Sequence, residues 1–318
     1  MGLREVNSYG CQVAMFLLEG LWPNERRANM KKIVVMFMVV LMVVSGMNAI
    51  QAQKPFVVAT WLWDTNEIVT NEQEVLRFLQ EKNVTDLYLQ INRQIHVNTY
   101  RSFIEKATKL NIKVHALDGA PTWATRNGSK QYKPLIDWIR NYQSQATADQ
   151  KFSGIHLDVE PYLLADWQKN QKNTVEFYQQ FVIDFRSLAN DLKIEYALDI
   201  PFWFDEINYR NKFGTGLLSE WLINQTDTVT IMAYRNFAEG PNGIIDLVKT
   251  EVAYAETKGK KVIIAVETEP SSEGTHISFS SLSVLDQELQ KVINHYEKNT
   301  SYAGTAIHHY ASWKTLIE

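Results

Sequence analysis

The sequence contains a single cysteine, Cys11, and this scarcity excludes several kinds of site. One thiol cannot form an intrachain disulfide or a zinc–thiolate centre. We also expect Cys11 to be absent from the mature protein, because it lies upstream of a predicted export signal. A cysteine nucleophile and a lipid-modified cysteine are then excluded as well. The fold must therefore be stabilised by its packed core.

The sequence also lacks a surplus of basic residues and a glycine-rich phosphate loop. Its net charge of −4 gives no basic surface of the kind that binds nucleic acid. The segment Trp61–Thr65, which follows the first predicted strand, contains no glycine, and Ser271–Gly274 contains one. Dinucleotide and phosphate ligands are usually held by such glycine-rich turns. We therefore predict no nucleic-acid partner and no cofactor.

Long hydrophobic runs are scarce, and the most apolar one is too short to span a membrane. Residues Ile33–Met47 form this run, whereas a membrane helix needs about 20 apolar residues. The run follows the basic segment Met30–Lys32 and precedes the small-residue segment Asn48–Ala52. This order predicts a bacterial Sec-type signal peptide over residues 30–52, cleaved after Ala52. The mature protein should be secreted or extracytoplasmic, without stable membrane insertion.

Residues 1–29 precede this signal and are interpreted as translation from a misassigned upstream start. Arg26 and Arg27, if encoded AGG-AGG, would correspond to a bacterial ribosome-binding sequence ahead of Met30. Residues 53–318 then form the mature protein, which has 318 − 52 = 266 residues. This length suits one large α/β domain. We expect that domain to be a monomer.

Strand-like apolar runs alternate with amphipathic helical segments along the mature chain. The predicted strands are 56–63, 86–92, 113–118, 154–160, 194–200, 228–234, 261–267 and 303–310. The predicted helices are 71–83, 100–111, 132–146, 174–192, 216–225, 244–259 and 281–299. This alternation predicts an α/β fold, a single (β/α)8 TIM barrel that closes with a short segment at 313–318. The alternative, a doubly wound open sheet, is disfavoured because its glycine-rich first turn is missing.

The fourth predicted strand carries the most informative pattern. Within Phe152–Pro161, the residues His156, Asp158 and Glu160 alternate with apolar residues, so their side chains share one face of the strand. Buried carboxylates are costly unless a site uses them. TIM-barrel active sites lie at the carboxyl ends of the strands, where Glu160 is placed. We therefore predict that Glu160 is the central catalytic residue.

Carboxylates and large aromatic residues also occur at the other strand ends. The candidate site residues at these ends are Glu160, Asp158, Tyr234 and Glu267, with Trp61, Trp63, Asp118, His156, Asp199, Trp203, Arg235, Tyr310 and Trp313 as candidates for substrate binding. Cleavage of a glycosidic bond needs one carboxylic acid to protonate the leaving oxygen and a second charge to stabilise the cationic centre. The pattern thus predicts a glycoside hydrolase with an oligosaccharide or polysaccharide substrate. For Asp118 and Asp199, capping of the following loops is an equal alternative.

No metal site is predicted. His308 and His309 alternate in direction, so only one of them can face the barrel interior. The first strand also lacks the His-x-His pair that a metallohydrolase would show. His156 is interpreted as a hydrogen-bonded residue of the barrel core, besides its place among the candidate site residues.

Two short motifs resemble family-18 glycoside hydrolases, the chitinase-like group. Ser153–Glu160 is similar to that family's Asp-Gly-x-Asp-x-Asp-x-Glu strand, and Met232–Tyr234 is similar to its Met-x-Tyr. They fall on the fourth and sixth predicted strands, as they do in the family. The resemblance implies that Glu160 is the general acid/base and that Asp158 orients the substrate's acetamido group. It also implies that Tyr234 hydrogen-bonds the reactive amide.

The same motifs depart from the family pattern at several positions. Ser153 and His156 replace its first two aspartates, and Arg235 replaces the aspartate after Met-x-Tyr. For the family's tryptophan on strand 8, the candidates are Tyr310 and Trp313. These losses favour a second hypothesis, a non-catalytic carbohydrate-binding barrel of the same ancestry.

A second resemblance gives Glu160 the same role with a different nucleophile. Val159–Pro161 is similar to the Asn-Glu-Pro that ends strand 4 in the large clan of retaining (β/α)8 glycosidases, although Val159 replaces the asparagine. In that clan a glutamate ending strand 7 is the nucleophile, and here Glu267 and Glu269 stand at that position. Strand parity leaves open which face of this strand turns inward. We prefer the amide-assisted arrangement because both family-18 motifs fall on the expected strands.

Overall fold

The computed structural model describes residues 56–271 and 276–317. Eight parallel strands form a closed barrel in the order β1-β10-β9-β8-β5-β4-β3-β2, and β6 and β7 form a separate antiparallel pair. The strands are β1 Val57–Leu62, β2 Asp86–Gln90, β3 Lys113–Asp118, β4 Gly154–Leu157, β5 Glu195–Pro201, β6 Asn208–Asn211, β7 Gly214–Leu217, β8 Thr228–Met232, β9 Lys261–Glu267 and β10 Tyr302–His308. The predicted TIM barrel is confirmed. The predicted signal peptide and the segment upstream of it lie outside the described residues.

Helices alternate with the barrel strands and cover their outer faces. They are α1 Glu67–Thr70, α2 Glu72–Glu81, α3 Val97–Lys109, α4 Ser129–Gln145, α5 Ala165–Leu192, α6 Leu218–Gln225, α7 Ile244–Lys258, α8 Leu282–Tyr296 and α9 Tyr310–Thr315. Helix α7 ends at Gly259, whose φ of 63° is the left-handed conformation that glycine adopts without strain, and Ser281 directly precedes α8 without a side-chain capping bond. In the part of the chain described, no helix is long and apolar enough to cross a membrane.

Alternation along the strands divides the core into two parts. Outward-facing apolar residues pack against the helices in one large cluster. Inward-facing residues fill the barrel in a second cluster formed by Ala59, Trp61, Tyr88, Leu117, Met232, Tyr234, Ile263, Ala265 and Ala306. A barrel of this size has no channel, because its interior is filled with side chains. Substrate must therefore bind at the end of the barrel, where the strands stop.

Several element boundaries differ from the predictions. The fourth strand ends at Leu157, three residues before Glu160, because the chain turns into a short 3-10 helix at Pro161–Leu163. The hairpin of β6 and β7 was not predicted. It lies between the predicted strand 194–200 and the predicted helix 216–225, where the sequence pattern indicated only a connection. Helix α5 begins at Ala165 and contains a kink at Asn170. The sequence pattern predicted only the part after the kink, as a helix over 174–192.

A close contact between chain segments positions the residues after β4. The amide of Asp158 donates to the carbonyl of Asp118 at 3.2 Å, which continues the pairing of β3 and β4 by one bond. Directly beside it, a Cβ on Gly119 would lie 1.6 Å from the carbonyl oxygen of Asp158. Only glycine fits there. The segment carrying Asp158 and Glu160 is thus held against the end of β3.

Candidate active site

Glu160 lies at the carboxyl end of the barrel, after β4 and directly before the 3-10 helix Pro161–Leu163. Its side chain is half-buried, and its Oε1 accepts a hydrogen bond of 2.6 Å from the hydroxyl of Tyr162. The hydroxyl of Tyr162 is held as a donor, because burial and the adjacent Glu160 carboxylate raise the pKa of this phenol far above its usual value. One oxygen of Glu160 is thus fixed by Tyr162.

Asp158 lies two residues earlier and faces other carboxyl groups. Its Oδ1 is buried and has no hydrogen-bond partner among the described residues. Burial, followed by the negative charges of Asp199 and Glu160, raises the pKa of Asp158 well above its ordinary value. A carboxyl in such surroundings keeps its proton to higher pH, or accepts a hydrogen bond from a bound ligand.

Beneath Asp158, three side chains form what we call the buried triad, Asp199, His156 and Trp61. The Oδ1 of Asp199 lies 2.8 Å from His156 Nε2, and its Oδ2 accepts from Trp61 Nε1 at 2.9 Å. The ring of His156 stacks on Tyr88 at 3.6 Å between centroids. Burial lowers the pKa of His156 well below its usual value, so the ring is neutral. Burial likewise raises the pKa of Asp199, and the Trp61 hydrogen bond opposes this.

The buried triad cannot offer a surface to a sugar. The exposed fractions of Trp61 and His156 are 1% and 0%, and that of Asp199 is 2%. The structure therefore places these three predicted substrate-binding residues under the site. They support its floor through hydrogen bonds instead.

A second group with the same three functional groups, which we call the mouth triad, lies at the ends of β9, β10 and β1. His308 is its centre, since its Nδ1 lies 2.8 Å from Glu267 Oε2 and its Nε2 accepts from Trp63 Nε1 at 3.0 Å. The other oxygen of Glu267 accepts from the backbone amides of Thr268 and Glu269 at 2.8 and 2.7 Å. Both carboxylate oxygens of Glu267 are thus engaged.

Strand parity in β9 and β10 is settled by this arrangement. Glu267 is buried in the barrel, whereas the side chain of Glu269 is 61% exposed and pairs with His309 at 3.1 Å. His308 is the inward histidine, with its ring 5.3 Å from that of Trp61.

Tyr234 lies just past the end of β8, beside Glu267 of the neighbouring strand β9, and borders a cavity of about 280 Å³. Its ring lies 6.0 Å from that of His308 and 5.1 Å from that of His276. Burial and the nearby carboxylates, Glu267 foremost, raise the pKa of Tyr234 well above its usual value, so its hydroxyl remains a donor. The cavity is lined by Tyr162, Leu163, Pro201, Phe202, Trp203, Met232, Tyr234 and His276.

Of the predicted substrate-binding residues, Trp203 lines this cavity and Arg235 lies next to it, over Phe202. Trp203 is half-buried in the 3-10 helix Phe202–Glu206, with its ring 5.1 Å from that of Tyr162. Arg235 donates from Nη1 to the carbonyl of Tyr234 at 2.8 Å, and its guanidinium lies 5.2 Å from the ring centre of Phe202. Trp203 and Arg235 therefore remain candidates for contact with a ligand.

Asp118 lies on the other side of Glu160, at the end of β3. Its Oδ1 accepts from the amide of Gly119 at 2.8 Å, as expected for a residue that caps the following loop. Burial raises the pKa of Asp118 to about 6, although the Gly119 hydrogen bond and the charge of Arg93 oppose this. A carboxyl of this kind can also change protonation near neutral pH.

Tyr310 and Trp313 are placed away from the site, which corrects their prediction as substrate-binding residues. Their rings lie 5.1 and 5.3 Å from that of Phe78 on α2, in the layer between the strands and the helices. The reason is that β10 stops at His308 and the chain enters α9 at Tyr310. The inward position at the end of the eighth barrel strand is therefore His308, with the tryptophans of β1 next to it.

Sequence reasoning missed several residues that form the site. Phe202, Met232 and His276 line the cavity but were not among the predicted site residues, and Met232 was named only as the first residue of the Met-x-Tyr motif. The pairing of Glu267 with His308 follows from the register, since these two residues lie opposite each other on β9 and β10. That register was not available from the pattern of apolar residues. Across residues 56–271 and 276–317, no group of three or more histidine, cysteine or acidic side chains is arranged to hold a metal ion.

Comparison with known proteins identifies the fold but no family. No family model matches the sequence, and no curated protein matches it. Among solved structures, the spore cortex-lytic enzyme SleL of Bacillus megaterium QM B1551 has a TM-score of 0.51 at 14% identity, covering 81% of this chain and 71% of that chain. A chitinase from Chromobacterium violaceum ATCC 12472 has a TM-score of 0.48 at 12% identity, covering 82% and 98%.

A third similar structure carries a different chemistry. The 3-keto-D-glucoside 4-epimerase YcjR of E. coli has a TM-score of 0.48 at 11% identity, covering 80% of this chain and 92% of that chain. At such low identities the similarity shows the fold alone. The barrel fold is thus one that this chain shares with the enzyme SleL, which confirms the prediction at the level of the fold.

Proposed function

We propose that this protein is a glycoside hydrolase that cleaves a polysaccharide or cell-wall glycan, with Glu160 as its general acid/base. The observation that carries the proposal is the pair formed by Glu160 and Asp158. Tyr162 fixes one oxygen of Glu160, and Asp158 presents a buried, unpartnered oxygen beside it. A pair of neighbouring carboxyl groups at the mouth of a barrel matches the needs of glycosidic cleavage.

In this proposal, the oxygen of Glu160 that Tyr162 does not hold delivers the proton to the leaving glycosidic oxygen. A general acid must lie within hydrogen-bond reach of that oxygen, and fixing one carboxyl oxygen limits the rotation of the other. After the leaving group departs, the same carboxylate takes a proton from water. The role of Tyr162 is then to orient Glu160.

The contacts of Glu267 favour a nucleophile supplied by the substrate. Both of its oxygens accept hydrogen bonds, from two backbone amides and from His308. A nucleophilic carboxylate would have to give up such bonds to attack. In the amide-assisted alternative, Tyr234 donates its hydroxyl to the acetamido group and Asp158 accepts the amide N–H. We therefore propose an N-acetylated sugar at the cleavage position.

The cavity beside Tyr234 provides an aromatic wall for the substrate. Trp203 and Phe202 form this wall, and Arg235 lies over Phe202. Aromatic rings present flat apolar faces, which suit the apolar face of a pyranose ring. We propose that the sugar next to the cleaved bond packs there. Export through the predicted signal peptide would bring the enzyme to such a glycan.

The decisive experiment compares the chain starting at Gln53 with its Glu160→Gln variant on a panel of chitin and peptidoglycan oligosaccharides. Loss of a general acid lowers the rate by about 10²–10⁴-fold. We expect turnover to fall by that factor while sugar binding, measured by calorimetry, changes little. Tyr162→Phe, which keeps the ring and removes the hydroxyl, should give a smaller loss.

The same experiment separates the hydrolase from a carbohydrate-binding barrel. A binding protein would take up sugar without cleaving it, and Glu160→Gln would leave its affinity unchanged. Turnover by the Glu160→Gln variant at the wild-type rate would contradict the proposed role of Glu160. Product stereochemistry, read by NMR during the reaction, tests the retaining outcome that the amide-assisted mechanism requires.

A further inference from the structure

The mouth triad is not explained by the acid/base role of Glu160. It consists of Glu267 and His308, which are register partners on adjacent strands, and Trp63 of the neighbouring strand. Both ring nitrogens of His308 are engaged, at 2.8 Å and 3.0 Å. Because Trp63 is a donor only, Nε2 accepts and Nδ1 carries the hydrogen that points at Glu267. The ring is therefore fixed in position and in tautomer.

The surroundings of His308 bring opposite charges together. Five titratable groups lie near the ring, which are Glu267 on β9, Asp158 after β4, Asp199 on β5, Tyr234 after β8 and the adjacent His309. Burial lowers the pKa of His308, but the hydrogen bond and charge of Glu267, with the charges of Asp158 and Asp199, outweigh it and raise that pKa. In return, the charge of His308 opposes the rise in the pKa of both aspartates. The donation from Trp63 opposes protonation of the ring.

We propose that His308, held by Glu267 and Trp63, is a positioning residue of the Glu160 site, and that it sets how charge is shared between Asp158 and Asp199. Glu160, Asp158, Asp199 and Glu267 cannot all be ionised together at low cost in a partly dry site. When His308 is protonated, its charge compensates for one of these carboxylates. The inference rests on the proposed function for its role in catalysis, but the coupling itself does not.

The coupling can be measured without any substrate. The seven histidines of the chain can be labelled with ¹⁵N and titrated by NMR, and the His308→Gln variant identifies the His308 signals. In Glu267→Gln, the charge is lost while an amide of the same shape remains. We expect the midpoint of His308 to fall by about one pH unit or more, as for the loss of an opposite charge at contact distance. Asp158→Asn should lower it by less.

Two further variants extend the test, one with an expected shift of opposite sign and one as a control. Trp63→Phe removes the indole donor and keeps an aromatic ring, so the midpoint of His308 should rise, opposite to the effect of Glu267→Gln. Glu269→Gln is the matched control, because it removes an equal charge two residues away that pairs with His309 instead. In that control the midpoint of His308 should not move.

In the hydrolase assay, Glu267→Gln should lower kcat by about tenfold with little change in KM, and the pH profile should shift in parallel with the midpoint of His308. A midpoint that is the same in wild type, Glu267→Gln and Trp63→Phe would overturn the inference. So would a pH profile that stays in place while the midpoint moves. If wild type cleaves no glycan yet the midpoints shift as expected, the proposed function fails and the coupling stands.

Discussion

The buried triad and the mouth triad are built from the same three groups, a carboxylate, an imidazole and an indole, but they are connected differently. In the buried triad the carboxylate is central, and its two oxygens bind the imidazole and the indole. In the mouth triad the imidazole is central, and its two nitrogens bind the carboxylate and the indole. The first triad is sealed in the barrel, whereas the second borders the site.

This difference separates a structural role from a chemical one. A central carboxylate that satisfies two buried donors is hard to remove, because each donor would lose its partner in a dry interior. A central imidazole near the mouth keeps both nitrogens in defined bonds and can change its charge. We therefore expect the buried triad to control stability and the mouth triad to control activity and its pH dependence.

The largest expected loss of stability comes from breaking the buried triad. In Asp199→Ala, the N–H groups of Trp61 and His156 lose their acceptor where water cannot reach them. Each buried unsatisfied group costs about 1–3 kcal/mol, so the free energy of unfolding should fall by about 3 kcal/mol or more. Denaturant unfolding of the variant and wild type at pH 7 measures this difference.

A matched pair of variants controls this prediction. Asp199→Asn keeps an acceptor for Trp61 and should lose less than half as much stability. Glu267→Ala removes the carboxylate of the mouth triad, where the side chain of His308 is 17% exposed and water can replace the lost acceptor, and should cost only about 1 kcal/mol. Equal losses in Asp199→Ala and Glu267→Ala would show that the two triads do not differ in the proposed way.

A third buried carboxyl, which has no imidazole partner, shows how an unpaired buried acid lowers the stability of the folded protein. Glu251 on α7 is 0% exposed, and neither of its oxygens accepts from another described residue. Burial, with the charge of Asp205, raises the pKa of Glu251 from 4.5 to about 8. Because the folded state holds this proton more tightly, the stability of the protein falls as the pH rises from about 4.5 to 8.

Replacing this carboxyl should therefore stabilise the protein in a pH-dependent way. Glu251→Gln should match wild type near pH 4 and exceed its free energy of unfolding by up to about 5 kcal/mol near pH 9. Thermal and denaturant unfolding at both pH values give the double difference, in which other titrating groups cancel. An advantage that is equal at pH 4 and pH 9 would mean that Glu251 ionises normally in the folded protein.

The sequence predicted the barrel well because each strand carries its own pattern of apolar residues. Those patterns also located the strand ends, and so brought Glu160, Asp158, Tyr234 and Glu267 to one face of the fold. They could not predict which strand end turns away, as for Tyr310, because the chain leaves the strand at a point set by tertiary packing.

The sequence also could not predict which of the two histidines inside the barrel is fully buried and which borders the site. His156 and His308 both follow an apolar alternation, and nothing local distinguishes a sealed ring from one at the mouth. Their depth depends on the stagger between strands, which places Glu267 beside His308 in the register of β9 and β10. The cavity wall depends likewise on a loop residue, Phe202, whose direction is set by the 3-10 helix after β5.

The smallest expected effects are opposite slopes of stability with pH for the two histidines. The folded state lowers the pKa of His156, so the unfolded state binds more protons below about pH 6.5 and stability is lost as the pH falls. The folded state raises the pKa of His308, so its contribution is complete below about pH 6.5 and is lost as the pH rises through the folded value. Each slope is limited to about 1.4 kcal/mol per pH unit.

In unfolding experiments at pH 5, 6.5 and 8, His156→Gln should flatten the pH dependence of stability on the acid side only, and His308→Gln should flatten it on the alkaline side only. A His308→Gln variant that flattens the acid side would place its ring among the neutral, sealed groups and remove the distinction between the triads.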